Sequence, residues 1–241
     1  MPWTDKTSLY FVNWQRRVSL EELNGQKVMV KRNKPTKQFH EFLILYAYSL
    51  ISMLLLHPSA PLAFSEIIKN EGYGMRKNLK KIGISTPLLL SISDTYLIEE
   101  YIEGGDVYRA LASAGDIMLA YKVGSITGKA HRAGYTFVDN KAQNYLVSGE
   151  SVMRTDLSFM KKTSSHYSKS MDIGSFLASI MDLDKYAEIA KSFHDGYLSE
   201  AGSKFSYRSI VIRNLLSAGF SSNSKTTLRN MLLDSRSLVS L

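Results

Sequence analysis

Asp139-Asn140-Lys141-Ala142-Gln143-Asn144 is followed by the apolar runs Tyr145-Leu146-Val147 and Ser151-Val152-Met153 and then by Asp156, and this stretch decides the reading of the chain. The two runs predict a β-hairpin with Ser148-Gly149-Glu150 in its turn. Asn144 precedes the first arm and Asp156 follows the second, so the hairpin returns both to the neighbourhood of Asp139.

A carboxylate, an amide and a second carboxylate gathered in this way suit phosphoryl transfer. That reaction needs one carboxylate near the attacking hydroxyl, and oxygen ligands that hold Mg²⁺ against the β- and γ-phosphates. Asp139 is the candidate base, Lys141 the cation that neutralises the γ-phosphate, and Asn144 and Asp156 the metal ligands. An Asp, an Asn five positions later and a downstream Asp have the spacing of a kinase catalytic loop with its metal-binding turn.

Matches lie on both sides of this centre. Asn24-Gly25 predicts a turn into the strand Gln26–Lys31, and Val28-Met29-Val30-Lys31 has the form of the strand that carries a phosphate-contacting lysine. An earlier strand is expected at Ser8–Val12. Ser65–Ile82 reads as one helix with Ile68, Met75, Leu79 and Ile82 on one face, and Glu66 or Glu71 at its edge; Glu71 is the preferred partner for Lys31. Gly72 and Gly74 weaken this helix. Leu88–Ile92 and Tyr96–Glu99 predict a second hairpin. Glu100-Tyr101-Ile102-Glu103-Gly104 looks like an interlobe hinge whose peptide groups, at Glu100 and Ile102, bind adenine. Two helices are expected over 106–133, core helices starting at Asp172 and Tyr186, and more helix from Ser206 onward.

With 241 residues, 44% of them hydrophobic, the chain can bury the core of two lobes. It has no cysteine, which excludes disulfides, thiolate nucleophiles and cysteine-held metals and fits a cytoplasmic setting. A net charge of +8 points to an anionic partner: nucleotide, RNA, an acidic protein or an anionic membrane surface. The apolar run Phe42–Leu56 is short of the roughly 20 residues of a membrane span and predicts a buried or partner-binding helix, with no span.

Taken together, these segments resemble the small atypical kinase of the KEOPS complex, the tRNA-modification kinase/ATPase of archaea and eukaryotes, with the RIO kinases as more distant relatives. The resemblance runs from Lys31 to Tyr197. It rests on Lys31-Arg32-Asn33-Lys34-Pro35, Gly83-Ile84-Ser85-Thr86-Pro87, Glu100-Tyr101-Ile102-Glu103-Gly104, His131 eight residues before Asp139, Lys169 three before Asp172, and Phe193 to Tyr197.

The resemblance implies an α+β, two-lobed protein-kinase-like fold: a β-rich N-lobe over 1–99 with an inserted apolar helix at about 42–56, a hinge at 100–104, and a helical C-lobe over 105–241. The sixteen residues from Asp156 to Asp172 leave room only for a very short activation segment. By the same resemblance Lys31 pairs with Glu71, Asp139 accepts the hydroxyl proton, Asn144 and Asp156 hold Mg²⁺ (or Mn²⁺), and Asp172 braces the catalytic loop. The activity implied is that of an ATP-dependent Ser/Thr protein kinase or ATPase with partner subunits, and autophosphorylation is expected within Thr163–Ser170.

The departures keep other functions open. No glycine-rich loop stands before Lys31, Phe137 and Val138 replace a loop histidine and glycine, and Asp156-Leu157-Ser158 replaces D-F-G. Glu99 falls behind the adenine position, where a buried carboxylate must find a partner. A pseudokinase acting as a nucleotide-binding scaffold, and a small-molecule kinase, are the alternatives.

Overall fold

The computed structural model describes residues 18–32, 35–57, 59–60, 62–203, 206–220 and 224–238. The strand expected at Ser8–Val12 lies outside them. Strands β1 (Val18–Leu23) and β2 (Gln26–Arg32) form a hairpin around Asn24 and Gly25, at φ 52° and 77°. Positive φ at both turn residues matches the right-handed twist of the two strands, which is why Asn-Gly sits there. With β3 (Leu89–Ile92) and β4 (Tyr96–Glu100) they make an antiparallel sheet in the order β1-β2-β4-β3. The register sets Lys31 opposite Leu97 and Met29 opposite Glu99, so Glu99 is the diagonal neighbour of Lys31 on one face.

Helix α1 (Pro35–Leu54) begins seven residues before the apolar run that announces it, with Pro35 in its opening turn. Although α1 lies within the first-lobe sequence, its buried residues Leu45, Tyr48 and Ile51 join a cluster with Tyr167, Met171, Ile212 and Leu216 from later in the chain. Tyr48 bonds Ser168 at 2.7 Å, and the Tyr167 hydroxyl donates to the Tyr48 carbonyl at 2.6 Å. The opposite face of α1, with Phe42, Tyr46, Leu50 and Met53, is exposed. Among the described residues no helix is long and apolar enough to cross a membrane.

The helix expected over Ser65–Ile82 is two helices, α2 (Phe64–Asn70) and α3 (Tyr73–Lys81), broken at Glu71-Gly72. The break resets the helical phase, so Ile67 rather than Ile68 is buried. It also places Glu71 at the C-terminal cap of α2, where its side chain turns inward.

The second half is helical around a small hairpin. Helices α4 (Val107–Ser113) and α5 (Ile117–Arg132) start at Asp106 and Asp116, whose side chains accept from backbone N–H groups. Short strand β5 (Tyr135–Thr136) pairs with β8 (Lys161–Lys162), and between them lie β6 (Tyr145–Ser148) and β7 (Ser151–Arg154), the expected hairpin. Helices α6 (His166–Ser179), α7 (Tyr186–Ala201), α8 (Tyr207–Phe220) and α9 (Ser224–Leu238) follow.

Helix α6 starts six residues before Asp172, capped by Ser165, because a polar first turn hides its beginning from a search for apolar periodicity. Helices α5 and α7 cross at backbone contact. A Cβ on Gly124 would stand 2.1 Å from the Phe193 carbonyl oxygen, and one on Gly196 would stand 2.0 Å from that of Tyr121. The Phe193–Tyr197 motif is therefore a packing motif, with Phe193 stacked on Phe176 at 4.1 Å between ring centroids. The whole is α+β, a small antiparallel sheet beside a helical body, an arrangement compatible with two lobes.

Candidate functional site

The loop between β5 and β6 carries Asp139, Lys141 and Asn144 as one bonded group. Lys141 Nζ lies 2.8 Å from Asp139 Oδ1, and Asn144 Nδ2 donates to the Asp139 carbonyl at 2.8 Å and to Oδ2 at 3.3 Å. These bonds commit the amide nitrogen of Asn144 and leave its oxygen as the group that can face a cation.

Two buried charges hold the loop by its main chain. Asp172, fully buried in α6, accepts the N–H groups of Phe137 at 2.7 Å and Val138 at 2.6 Å and contacts His131 Nε2 at 3.0 Å. The second is Arg154, 1% exposed. Its guanidinium donates to the carbonyls of Asp139 at 3.0 Å, Asp156 at 3.2 Å and Asn144 at 3.3 Å. It also lies 4.7 Å from the Phe137 ring centroid and 4.9 Å from that of Tyr145. One side chain thus ties together the main chain of all three candidate reacting residues, and the two ring faces offset part of the cost of burying its charge.

Val138 and Asp156 both sit at positive φ, 64° and 54°. For a β-branched residue this conformation is rare and costs on the order of 1–3 kcal/mol, and such strain persists only where the surroundings enforce it. Asp172 enforces it at Val138 and Arg154 at Asp156. Phe137 is buried and forms part of the platform beneath Arg154.

The sheet supplies the other side. Lys31 Nζ donates to Thr155 Oγ1 at 2.8 Å, a contact between residues 124 apart in sequence, and pairs with Glu99. Glu99 is 1% exposed, and the partner it requires turns out to be threefold: Lys31, Arg76 Nη2 at 2.9 Å, and the Thr155 hydroxyl at 3.1 Å. Glu71 Oε1 accepts from Leu157 N at 3.0 Å and Ser158 Oγ at 2.7 Å, and its other oxygen lies 3.6 Å from Arg76. The sequence leads Lys31 to be paired with Glu71; Glu99 lies in ion-pair contact with Lys31, while Glu71 holds the turn after Asp156 and adds to the negative charge around Lys31. The cause is the helix break, which turns Glu71 toward that turn.

Charge follows geometry. Burial works against the Lys31 ammonium, but Glu99 foremost, then Glu71 and Asp156, raise its pKa above the ordinary lysine value. Burial likewise opposes the Glu99 carboxylate, and Lys31 and Arg76 overcome it and hold the pKa below the usual value. Burial raises the Tyr145 phenol to about 12, so it stays protonated beneath Arg154.

At the hinge, the Glu100 N–H donates to the Leu88 carbonyl at 2.9 Å and its carboxylate accepts Leu88 N at 3.0 Å, which fixes the end of β4; Ile102 follows, half-buried. Gly104 is required by contact, since a Cβ there would stand 2.2 Å from the Val147 carbonyl oxygen. Glu100 is thereby anchored to the sheet, and Gly104, two residues after Ile102, stands against the loop hairpin.

Among the described residues no three or more His, Cys, Asp or Glu gather as a metal cage. Mg²⁺ does not need one: it takes one or two side-chain oxygens together with substrate phosphates and water. Asn144 and Asp156, linked through Arg154, fit that demand. Ser168 and Ser170, within the segment expected to be autophosphorylated, are buried in α6, which removes them as acceptors.

Arg154, Arg76 and Thr155 carry no signal in the catalytic-loop spacing. For Arg154 a signal existed: Val152 faces inward on β7, and the two-residue period sends Arg154 to the same side. Neither a scan against protein-family models nor a search of curated proteins finds a match to this chain.

Proposed function

We propose that this chain is an ATP- and Mg²⁺-dependent phosphotransferase, an atypical Ser/Thr protein kinase or ATPase similar to the KEOPS-complex kinase. The observation that carries the reading is the contact of Lys31 with Thr155, which brings a strand lysine from the sheet to the residue beside Asp156, opposite the bonded group of Asp139, Lys141 and Asn144.

In this reading Asp139 accepts the proton of an acceptor hydroxyl as its oxygen bonds to the γ-phosphorus and the bond to ADP breaks. Lys141, already on Asp139 Oδ1, neutralises charge on the transferred group. Lys31 has three N–H donors, of which Glu99 and Thr155 take two, and the third serves the phosphates. The peptide groups of Glu100 and Ile102 would receive adenine. Asn144 and Asp156 would hold Mg²⁺ or Mn²⁺, which supplies charge neutralisation at the β- and γ-phosphates when bound. The exposed apolar face of α1 supports a partner protein docking there, and the net charge of +8 supports an anionic partner, RNA included.

A second reading is a nucleotide-binding scaffold. It is favoured by the β1–β2 connection, a two-residue turn at Asn24-Gly25 that offers no glycine-rich cradle for phosphates. A small-molecule acceptor in place of a protein is the third.

Incubation of the purified protein with γ-labelled ATP and Mg²⁺ or Mn²⁺ separates them. Label transfer or phosphate release that vanishes in Asp156→Ala supports the phosphotransferase. Nucleotide binding without turnover in the wild-type protein overturns it in favour of the scaffold.

A further inference from the structure

The helical body holds a polar cavity whose lining includes none of Lys31, Asp139, Asn144 and Asp156. Its volume is about 130 Å³, and it is walled by α5, α6, α7 and the segment after α7. From α6 come His166, Lys169, Ser170 and Ile173, spaced i, i+3, i+4, i+7, which is one face of a helix. From α5 come His131 and Arg132, from α7 Tyr197 and Ala201, and from the following segment Ser203 and Ser206.

The chemistry of the wall is one-sided. It has an arginine, a lysine, two histidines, three serines and a tyrosine, and no carboxylate. The carboxylates at its edge are already engaged. Glu200 accepts from Arg132 at 3.0 Å and lies 3.7 Å from Lys129, and Asp172 lies 3.0 Å from His131 on the side facing the catalytic loop. The cavity opens to solvent on one side and is large enough for a tetrahedral oxyanion. A small cavity lined by cationic and hydroxyl donors suits an anion, because charge-assisted hydrogen bonds to an oxyanion are about twice as strong as neutral ones.

We propose that this cavity is a binding site for a phosphate-sized oxyanion, held by Lys169 and His166; the Arg132 guanidinium at its rim is shared with Glu200, and the Ser170 hydroxyl is taken by the His166 carbonyl and Ser206. The site has a route to the catalytic loop. His131, part of its wall, bonds Tyr197 Oη at 3.1 Å through Nδ1 and Asp172 through Nε2, and Asp172 holds the Phe137 and Val138 amides. Occupancy therefore bears on the brace of Asp139. The proposal stands independently of the phosphotransferase reading, since it needs only the cavity and its donors.

Calorimetric titration of the full chain with inorganic phosphate tests it, with O-phosphoserine in parallel to distinguish a free ion from a phosphoryl group carried on a larger molecule. Saturable 1:1 binding is expected. Lys169→Ala, at a half-exposed helix position, weakens it about tenfold or more, as loss of one charged hydrogen bond requires. His166→Ala weakens it less, and Lys31→Ala, at the other candidate phosphate site, leaves it unchanged. Binding of phosphate alone marks a free ion as the ligand, and binding of both marks a phosphoryl group; each supports the site. Binding that survives Lys169→Ala and His166→Ala together, binding that disappears in Lys31→Ala, or no saturable binding at millimolar phosphate overturns it. Unchanged circular dichroism and thermal midpoints of the variants guard against misfolding.

Discussion

The loop that carries Asp139 and the sheet that carries Lys31 are held by different forces. On the loop, two buried charges act on the main chain: Arg154 on three carbonyls and Asp172 on two amides. The side chains of Asp139, Lys141 and Asn144 bond to one another and, through Asn144 Nδ2, to the Asp139 carbonyl, which adds to this main-chain support. On the sheet, the side chains hold one another through the chain of charges Lys31, Glu99, Arg76 and Glu71. A candidate reacting group on the loop can be exchanged while its support remains. On the sheet, support and candidate function are the same atoms.

The sharpest test of that contrast is Asp139→Ala. Alanine keeps the carbonyl that accepts from Arg154 and Asn144. The variant loses the buried carboxylate's bonds to Lys141 and Asn144 but none of the main-chain ties, so a destabilisation of about 1 kcal/mol is expected. Turnover of labelled ATP should fall by on the order of 10²-fold or more, the usual contribution of a positioned base. A large loss of stability would show that the loop depends on its side chains after all.

Arg154→Met removes the loop's own support while filling similar volume. Three carbonyls lose a charged donor; that of Asp139 keeps Asn144 Nδ2 and that of Asn144 keeps the Thr155 N–H, and with hydrogen bonds to a charged group worth about 1.5–3 kcal/mol each a destabilisation of about 3 kcal/mol is expected in urea unfolding. Activity should fall with it, because the peptide groups of Asp139, Asn144 and Asp156 lose their common tie. Arg154→Lys, a point charge without the planar fork, should recover only part of either.

Glu99→Gln breaks the sheet side and leaves Lys31 and Arg76 buried with a neutral partner. About 2 kcal/mol is expected at pH 7, toward the lower end of the cost of leaving buried charge uncompensated because glutamine still accepts hydrogen bonds. The pH dependence has a definite sign. The Glu99 carboxyl has a pKa below its ordinary 4.5 in the folded chain, so its contribution is present above that value and is lost as pH falls through the folded pKa. The gap between wild type and Glu99→Gln should therefore close in acid. Lys31 has the opposite sign: its raised pKa contributes below the ordinary 10.5 and is lost only as pH rises through the folded value. Melting curves at acid, neutral and alkaline pH measure both.

What the sequence revealed tracks the range of the interactions. The grouping of Asp139, Asn144 and Asp156 follows from local spacing and a hairpin with a turn at its tip, and so could be read. That Glu99 must find a partner could also be read, from the cost of burying charge. Which partner could not, because Arg76 reaches it from α3 across 23 residues and Thr155, the residue after β7, across 56. The break at Glu71-Gly72 was visible only as two weakening glycines, and their effect on the phase of the helix decides where Glu71 points. The docking of α1 on α6 and α8 was hidden because both of its faces are apolar, and periodicity cannot choose between two apolar faces.

Thr155→Val gives the smallest effect and the finest resolution. The Thr155 hydroxyl accepts from Lys31 at 2.8 Å and donates to Glu99 at 3.1 Å, so it is a neutral group bridging the two charges. Valine keeps the branched shape and removes only the hydroxyl. Lys31 and Glu99 remain in contact with each other, so the expected loss is about 1 kcal/mol, that of one net hydrogen bond. In the double variant Thr155→Val, Glu99→Gln, the hydroxyl has lost its charged acceptor already. The two costs should then fall short of adding by about 0.5 kcal/mol or more, the mark of residues that share a bond. Strict additivity would mean that the hydroxyl serves Lys31 alone, and that the sheet side is held purely by charge.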